Sequence, residues 1–391
     1  MIEYFSIGVL CRELPVHGEF DERTGDGMNE RCQGSTMKRR SILQACAGGL
    51  AAVSGGCLDA VGLQTQSAWR DPPLVDDRPD GVYYPAVTEG MATYGTTTAG
   101  PYTVALTYSY PHRFWQVTGS EREKTVVGSE DSVHLMASIW DTQSGTVIPV
   151  DGLSAEVTTE DGELVAEEVI YPMLSQQMGY HSGANFALPG DGSYRAAVSI
   201  GGTAIRRTGR FTNRFDEPHT ATFAFEFTSE DLYDIEIRRL GEKAGTRGAV
   251  EPMEMGIPVG RAPPVERLPG TPIGRATSGD AVVPVRAIPD ESGGTRIAAF
   301  PRTPYNRIVL PLMALSATIE RNAQTVAETP LTRTLDPRLG YHHAAPIEDV
   351  RPDDTLRVSV ETPPQVARHD GYETAFLEMG PMTLSVPETI A

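Results

Sequence analysis

The sequence predicts an all-β protein made of two antiparallel β-sandwiches. Short segments alternate apolar and polar residues, as in Val104-Ala-Leu-Thr-Tyr-Ser-Tyr, Val133-His-Leu-Met-Ala-Ser-Ile-Trp and Thr220-Ala-Thr-Phe-Ala-Phe-Glu-Phe. Glycine and proline, 39 and 30 of 391 residues, punctuate the chain, and no long amphipathic helical pattern runs through it. The length suits two ordinary domains with connectors.

Charge narrows the function classes. With 52 Asp and Glu against 33 Lys and Arg, the formal charge is −19, which repels phosphate and argues against nucleic acid as a partner. Only Lys38, Lys124 and Lys243 are lysines. An acidic, lysine-poor chain of this kind fits a halophile, where carboxylates keep the surface hydrated.

Taken in order, residues 1–36 fit no export signal and read as a start assigned too early or a disordered leader, with Met37 as the expected start. Residues 37–57 read as an address. Arg39 and Arg40 precede a small-residue apolar run to Gly56 and then Cys57, the order of a twin-arginine signal ending in a lipobox. Ser54 stands where a lipobox usually has Leu or Val. The expectation is a lipoprotein, lipidated at Cys57 and tethered to the outer face of the cytoplasmic membrane. Of the four cysteines only Cys57 survives processing, so no disulfide is expected. Residues 58–80 are polar with Pro and Asp and read as a flexible stalk.

The first sandwich is expected over 81–228. A Gly/Pro-rich linker follows over 229–277, with one charged segment suited to a short helix. The second sandwich is expected over 278–391, from segments such as Ala281-Val-Val-Pro-Val, Ile308-Val-Leu-Pro-Leu-Met and Leu356-Arg-Val-Ser-Val. The halves echo one another: Gly179-Tyr-His-Ser-Gly-Ala pairs with Gly340-Tyr-His-His-Ala-Ala, and His134-Leu-Met-Ala is aligned with Pro311-Leu-Met-Ala. A duplicated fold is expected, with Pro311 in place of His134.

Enzyme signatures are missing: there is no nucleophile elbow, phosphate loop, His-Glu-x-x-His or Cys-x-x-Cys. The informative residues are histidines with methionines nearby. His134 and Met136 sit two apart on one expected strand and share a face, while Met173, Met178 and His181 fall within nine residues. Imidazole suits copper, iron and zinc, and thioether selects for Cu(I). A lone histidine or methionine is ordinarily a packed residue, so convergence is what matters.

Asp131-Ser-Val-His134-Leu-Met136-Ala, Pro172-Met173-Leu-Ser and His181-Ser-Gly183-Ala184-Asn185 together resemble the motif series of the periplasmic iron-uptake lipoproteins, here in a duplicated, halophile-type version. The resemblance covers about 83–228 and, more weakly, 296–388. It implies immunoglobulin-like sandwiches that bind copper or iron, with ligands on His134, Met173 and His181. The family's glutamate position falls on Met136, a change from carboxylate to thioether that favours copper over iron. A further family histidine follows a Pro-Pro segment and an arginine. Asp216-Glu-Pro-His219 matches it loosely, and Pro363-Pro-Gln-Val-Ala-Arg-His369-Asp370 matches it better.

The expected metal site is therefore His134, Met136, Met173 and His181, with His112 and His219 as candidates to complete it and His369 offered from the second domain. Met313, His342 and His343 form a weaker second-domain candidate set. The expected function is capture or buffering of copper or iron without catalytic turnover, with transfer to a metal permease. The alternative is a structural or adhesive surface protein whose metal ligands are degenerate. A copper oxidase is a distant third.

Overall fold

The computed structural model describes residues 72–289 and 294–390. The leader 1–36, the signal 37–57 with Cys57, and the stalk up to residue 71 lie outside the described residues. Among the described residues no helix is long and apolar enough to cross a membrane.

Among the described residues the fold is nearly all β, with two large sheets of the same design and one small two-stranded sheet. The first runs β2 (Ala92–Ala99), β3 (Tyr102–Ser109), β6 (Val133–Asp141), β9 (Gly179–Phe186), β8 (Leu164–Ser175), β7 (Leu153–Thr159), β10 (Gly192–Ile200), β12 (His219–Phe227). Long β8 is the fold line: its first part pairs with β7 and its last part with β9. Because β12 and β2 then lie side by side, the sheet folds over on itself as a nearly closed sandwich. One face supplies the core, with Val133, Leu135, Ala137, Ala184 and Phe186 alternating inward from β6 and β9. A hairpin of β4 (Phe114–Thr118) and β5 (Glu121–Thr125) follows β3.

The second sheet runs β14 (Thr271–Ser278), β15 (Ala281–Pro289), β16 (Thr295–Ala299), β19 (Gly340–Pro346), β18 (Gln324–Asp336), β17 (Ala314–Arg321), β20 (Thr355–Thr362), β22 (Met382–Ser385). Strand for strand this is the order of the first sheet, so the chain is a structural duplication. Even a β-bulge recurs, between Thr93 and Gly95 in one half and between Pro272 and Gly274 in the other.

The register corrects one alignment. His134 pairs with Asn185, and in the second half Arg296 pairs with Pro346 at the same step. The counterpart of His134 is therefore Arg296. Pro311 lies just before β17, the strand equivalent to β7, so it answers to Pro149. The shared Leu-Met-Ala is a coincidence of three apolar residues. The Gly-Tyr-His match does occupy one position, since Met173 pairs with His181 as Thr334 pairs with His342.

The halves also exchange segments. β21 (Ala367–Arg368) leaves the second half and pairs with β4 and, in parallel, with β8 of the first. Its counterpart, β11 (Arg206–Arg207), leaves the first half and pairs in parallel with β18. The amides just after them make matching bonds, His369 to the Leu174 carbonyl at 3.2 Å and Thr208 to the Leu335 carbonyl at 3.1 Å. Side chains cross too: Leu174 and Tyr180 are buried in the second core, Leu335 and Tyr341 in the first.

The stretch 229–277 carries a five-residue helix, Ser229–Tyr233, capped by the Thr228 hydroxyl. It also carries β13 (Ile237–Arg239), which pairs with β1 (Val87–Glu89), and the start of β14. Residues 72–80, expected as the end of a flexible stalk, are pinned instead. Arg113 donates to the Pro72 carbonyl, Thr374 Oγ1 donates to the Pro79 carbonyl and Arg247 donates to the Asp80 carbonyl. Arg78 pairs with the buried Glu373 carboxylate at 3.2 Å.

Candidate metal centre

The site lies on the face of the first sheet opposite its core. Period-two alternation places His134 and Met136 of β6, His181, Gly183 and Asn185 of β9, and Met173 of β8 on that one face. A bare sheet face would leave these side chains wet. Here the β4 hairpin and the crossing β21 segment cover it, and Phe114, Met173 and Ala367 form a small apolar cluster beside the histidines.

Four imidazoles from four segments meet under that cover. The His112 ring, in the turn after β3, lies 4.1 Å from His134 and 4.8 Å from His369, centroid to centroid. His369 in turn lies 5.2 Å from His181 and 6.2 Å from His134. His134 and His181 are fully buried.

Three of the rings have their Nδ1 engaged. His134 Nδ1 lies 2.7 Å from Asn185 Oδ1, His112 Nδ1 2.9 Å from the Tyr110 carbonyl and His181 Nδ1 3.1 Å from the Gly179 carbonyl. A carbonyl oxygen accepts only, so these contacts place the proton on Nδ1 and leave Nε2 as a bare lone pair. Nε2 of all four histidines is buried without a hydrogen-bond partner. Asn185 ties two of the rings together, since its Nδ2 donates to the His112 carbonyl at 3.1 Å.

Gly183 makes the room. A Cβ there would stand 2.8 Å from His134 Nε2 and 3.0 Å from the Leu135 carbonyl, so any side chain would displace the ring.

Burial sets the protonation state. Desolvation pushes His112 and His181 down to about 4, and holds His134 and His369 well below the ordinary histidine range. The rings are neutral at physiological pH and able to ligate. Glu89 behaves in the opposite sense: burial, with a contribution from Asp370, pushes its carboxyl up to about 8 against the pull of Arg113. Its Oε2 lies 3.6 Å from His112 Nδ1.

The loop carrying His369 is anchored on both sides. Asp370 takes a two-pronged contact from Arg113, at 3.3 and 2.7 Å. Glu373, fully buried, accepts from the Tyr83 hydroxyl at 2.5 Å and from the Gly371 amide at 2.8 Å.

The structure sorts the expected residues. His112, His134, His181 and His369 come together, with Met136 and Met173 on the same sheet face. His219 does not join them. It opens β12 at the far edge of the sheet, where its ring packs over Gly100 and edge-on to Tyr102 at 5.8 Å.

The second-domain set does not gather either. Met313 is buried in the second core, His342 stacks on Phe300 at 5.2 Å, and His343, the next residue on the strand, faces the other side. Sequence reading missed Glu89, which comes from a three-residue strand too short to show a period, and the supporting Arg113–Asp370 pair.

Four imidazole nitrogens without partners, with two thioethers on the same sheet face, are donor types that suit a transition metal. Among the described residues, no group of three or more His, Cys, Asp or Glu side chains is arranged so that it could hold a metal ion.

A family model described as a domain of unknown function (DUF7350) matches residues 266–385, which is the second repeat. No curated protein matches. Two solved structures of FetP from uropathogenic Escherichia coli strain F11 are similar. The as-isolated form is 19% identical, covers 36% of this chain and 96% of its own, and has a TM-score of 0.27. A copper-bound single-residue variant is 21% identical, covers 35% and 97%, and scores 0.28. Such scores carry no conclusion about this chain's site.

Proposed function

We propose that the protein binds a transition metal ion, copper in preference to iron, through His112, His134, His181 and His369 with Met173 and Met136 beside them. One observation carries the reading: four buried Nε2 atoms, each without a partner, three from the first repeat and the fourth, that of His369, brought in by the exchange of β21. Unpaired buried nitrogens cost free energy, and a soft cation gives them a use.

The chemistry is capture and holding, with no turnover. Soft sulfur and neutral imidazole favour Cu(I) over Mg(II), Ca(II) or Mn(II). The reading extends to delivery to a membrane permease, with the protein exported by the twin-arginine route and tethered at Cys57 outside the cytoplasmic membrane. Release of a Cys57→Ser variant into the medium checks the tether, and its continued retention on the membrane would count against it.

A structural surface protein with degenerate ligands is the second reading, favoured by the absence, among the described residues, of a group arranged to hold a metal ion. A Cu(I) competition titration separates the two. Wild type should bind, and His134→Ala with His181→Ala should weaken binding at least about a hundredfold, while His342→Ala should leave it unchanged. Equal affinity across all three proteins would favour the structural reading.

A further inference from the structure

The histidine cluster is reached through methionines. Of the nine methionines among the described residues, five line two adjoining pockets. The inner is a cleft of about 90 Å³ bordered by Met91, Met136 and Met178 together with Glu89, His112 and His369. The outer, about 10 Å³, is bordered by Met178, Met253 and Met255, with Ile257 and Val259 as apolar wall. Met178 and Gln177 belong to both, so the pockets meet there.

The outer pair is placed by the backbone. The amide of Met253 donates to the Gln177 carbonyl at 3.0 Å, which fastens the segment around 251–259 to the turn between β8 and β9. Met253 and Met255 are both half-buried, whereas Met178 is buried and Met136 more deeply so. Sulfur therefore recurs stepwise from the surface inward.

Methionine also serves as an ordinary gap-filler, and three of the others do so: Met313, Met379 and Met382 pack in or against the second core. The five are different in facing space. A pocket of about 10 Å³ has room for roughly one water-sized particle, the scale of a stripped ion.

We propose that Met253, Met255 and Met178 form an outer docking site for a soft monovalent cation, from which the ion passes along Met136 and Met91 to the histidine cluster. The proposal rests on the metal-binding reading given above. Thioether holds Cu(I) or Ag(I) weakly and ignores hard cations, so the outer site selects without trapping. The transfer is ligand exchange alone: the ion keeps its charge, and each thioether is released unchanged.

The test is kinetic. Full-length protein is mixed with a Cu(I)–bicinchoninate complex in a stopped-flow instrument, and loss of the chelate colour reports loading. Met253→Leu with Met255→Leu keeps volume and apolarity, a swap that packed sites tolerate well. Loading should slow by about tenfold, the lower end for residues that serve a metal site from outside its ligand set. Equilibrium Cu(I) affinity should stay as in wild type.

An unchanged rate would overturn the path and leave the histidine site standing. A fall in affinity equal to the fall in rate would also overturn it, because the outer methionines would then be ligands of the final site. Wild type that takes up no Cu(I) would remove the metal reading and the path together. Each single variant, expected to slow loading less, keeps the test usable should the double variant lose its fold.

Discussion

The two repeats share a scaffold and differ in what they mount on it. At matching register positions, His134 in the first repeat is Arg296 in the second, Met136 is Ala298, Met173 is Thr334, Gly183 is Ala344 and His369 is Thr208. Only His181 keeps its type, as His342. Where the first repeat has small Ser138, the second has Phe300, and that ring stacks on His342. The first repeat also carries the β4–β5 hairpin after β3, and with it His112, whereas β15 and β16 are joined by 290–294 alone. Strand order, bulge and exchanged segments stayed common while the donor set was built on one side only. The proposed metal chemistry thus rests on a few side chains that the fold carries in one repeat and not in the other.

Acid should expose what the repeats have in common. His112, His181 and His342 are pushed down to about 4 and His343 to about 3, in every case first by desolvation. A histidine whose folded pKa is depressed is neutral when folded and gains its proton earlier when unfolded. Its stability contribution is therefore complete above about 6.5 and is lost as pH falls towards the folded value. Both repeats hold such groups, so the loss between pH 6.5 and 4 should sum to the order of several kcal/mol. Thermal melting at half-unit steps measures it, and a flat Tm from pH 7 to 5 would show that these rings are not neutral and buried.

The exchange predicts a symmetric effect of nearly the same size. Leu174 and Leu335 are fully buried, each in the other repeat's core. Leu174→Ala and Leu335→Ala should each cost about 2–5 kcal/mol. Because each leucine supports the partner repeat, both variants should still unfold in one transition. Two separated transitions in calorimetry would show that the repeats are energetically independent.

The strands were legible because period-two alternation is what a half-buried strand requires, as in Thr220–Phe227, which lies within β12. The duplication was legible at Gly-Tyr-His, where a positive-φ glycine and an inward tyrosine recur together: Gly179 has φ 70° and Gly340 φ 67°. The Leu-Met-Ala match is not an equivalence in the structure, since three apolar residues carry no register. Ile148-Pro149-Val150 with Leu153-Ser154-Ala155 set against Leu310-Pro311-Leu312 with Leu315-Ser316-Ala317 was the alignment to make.

The shared face of His134, Met136, Met173 and His181 is legible from spacing and resemblance because they sit on three neighbouring strands. His369 was readable only as a resemblance, since nothing local says that β21 crosses to β8. Glu89 left no trace, because a three-residue strand has no period. His219 misled because sequence order cannot tell which end of a strand faces the site.

The smallest effect gives the most direct comparison of the two repeats. Gly183 and Ala344 occupy one position in the two sheets, opposite Met136 and Ala298. In the first repeat a methyl group would come within 2.8 Å of His134 Nε2 and 3.0 Å of a backbone oxygen, and the backbone cannot yield as a flexible side chain would. Gly183→Ala should therefore cost about 1–3 kcal/mol by overpacking, and it should weaken Cu(I) binding by displacing the ring. In the second repeat no imidazole projects from the neighbouring strand, and alanine is already accommodated. Ala344→Gly should cost only about 1 kcal/mol, from backbone entropy and a lost methyl contact, with Cu(I) affinity unchanged. Denaturant unfolding and a Cu(I) titration on the two variants measure both quantities. If Gly183→Ala is as mild as Ala344→Gly and binds copper equally well, then His134 does not hold the position that the metal site requires, and the asymmetry between the repeats has no bearing on metal.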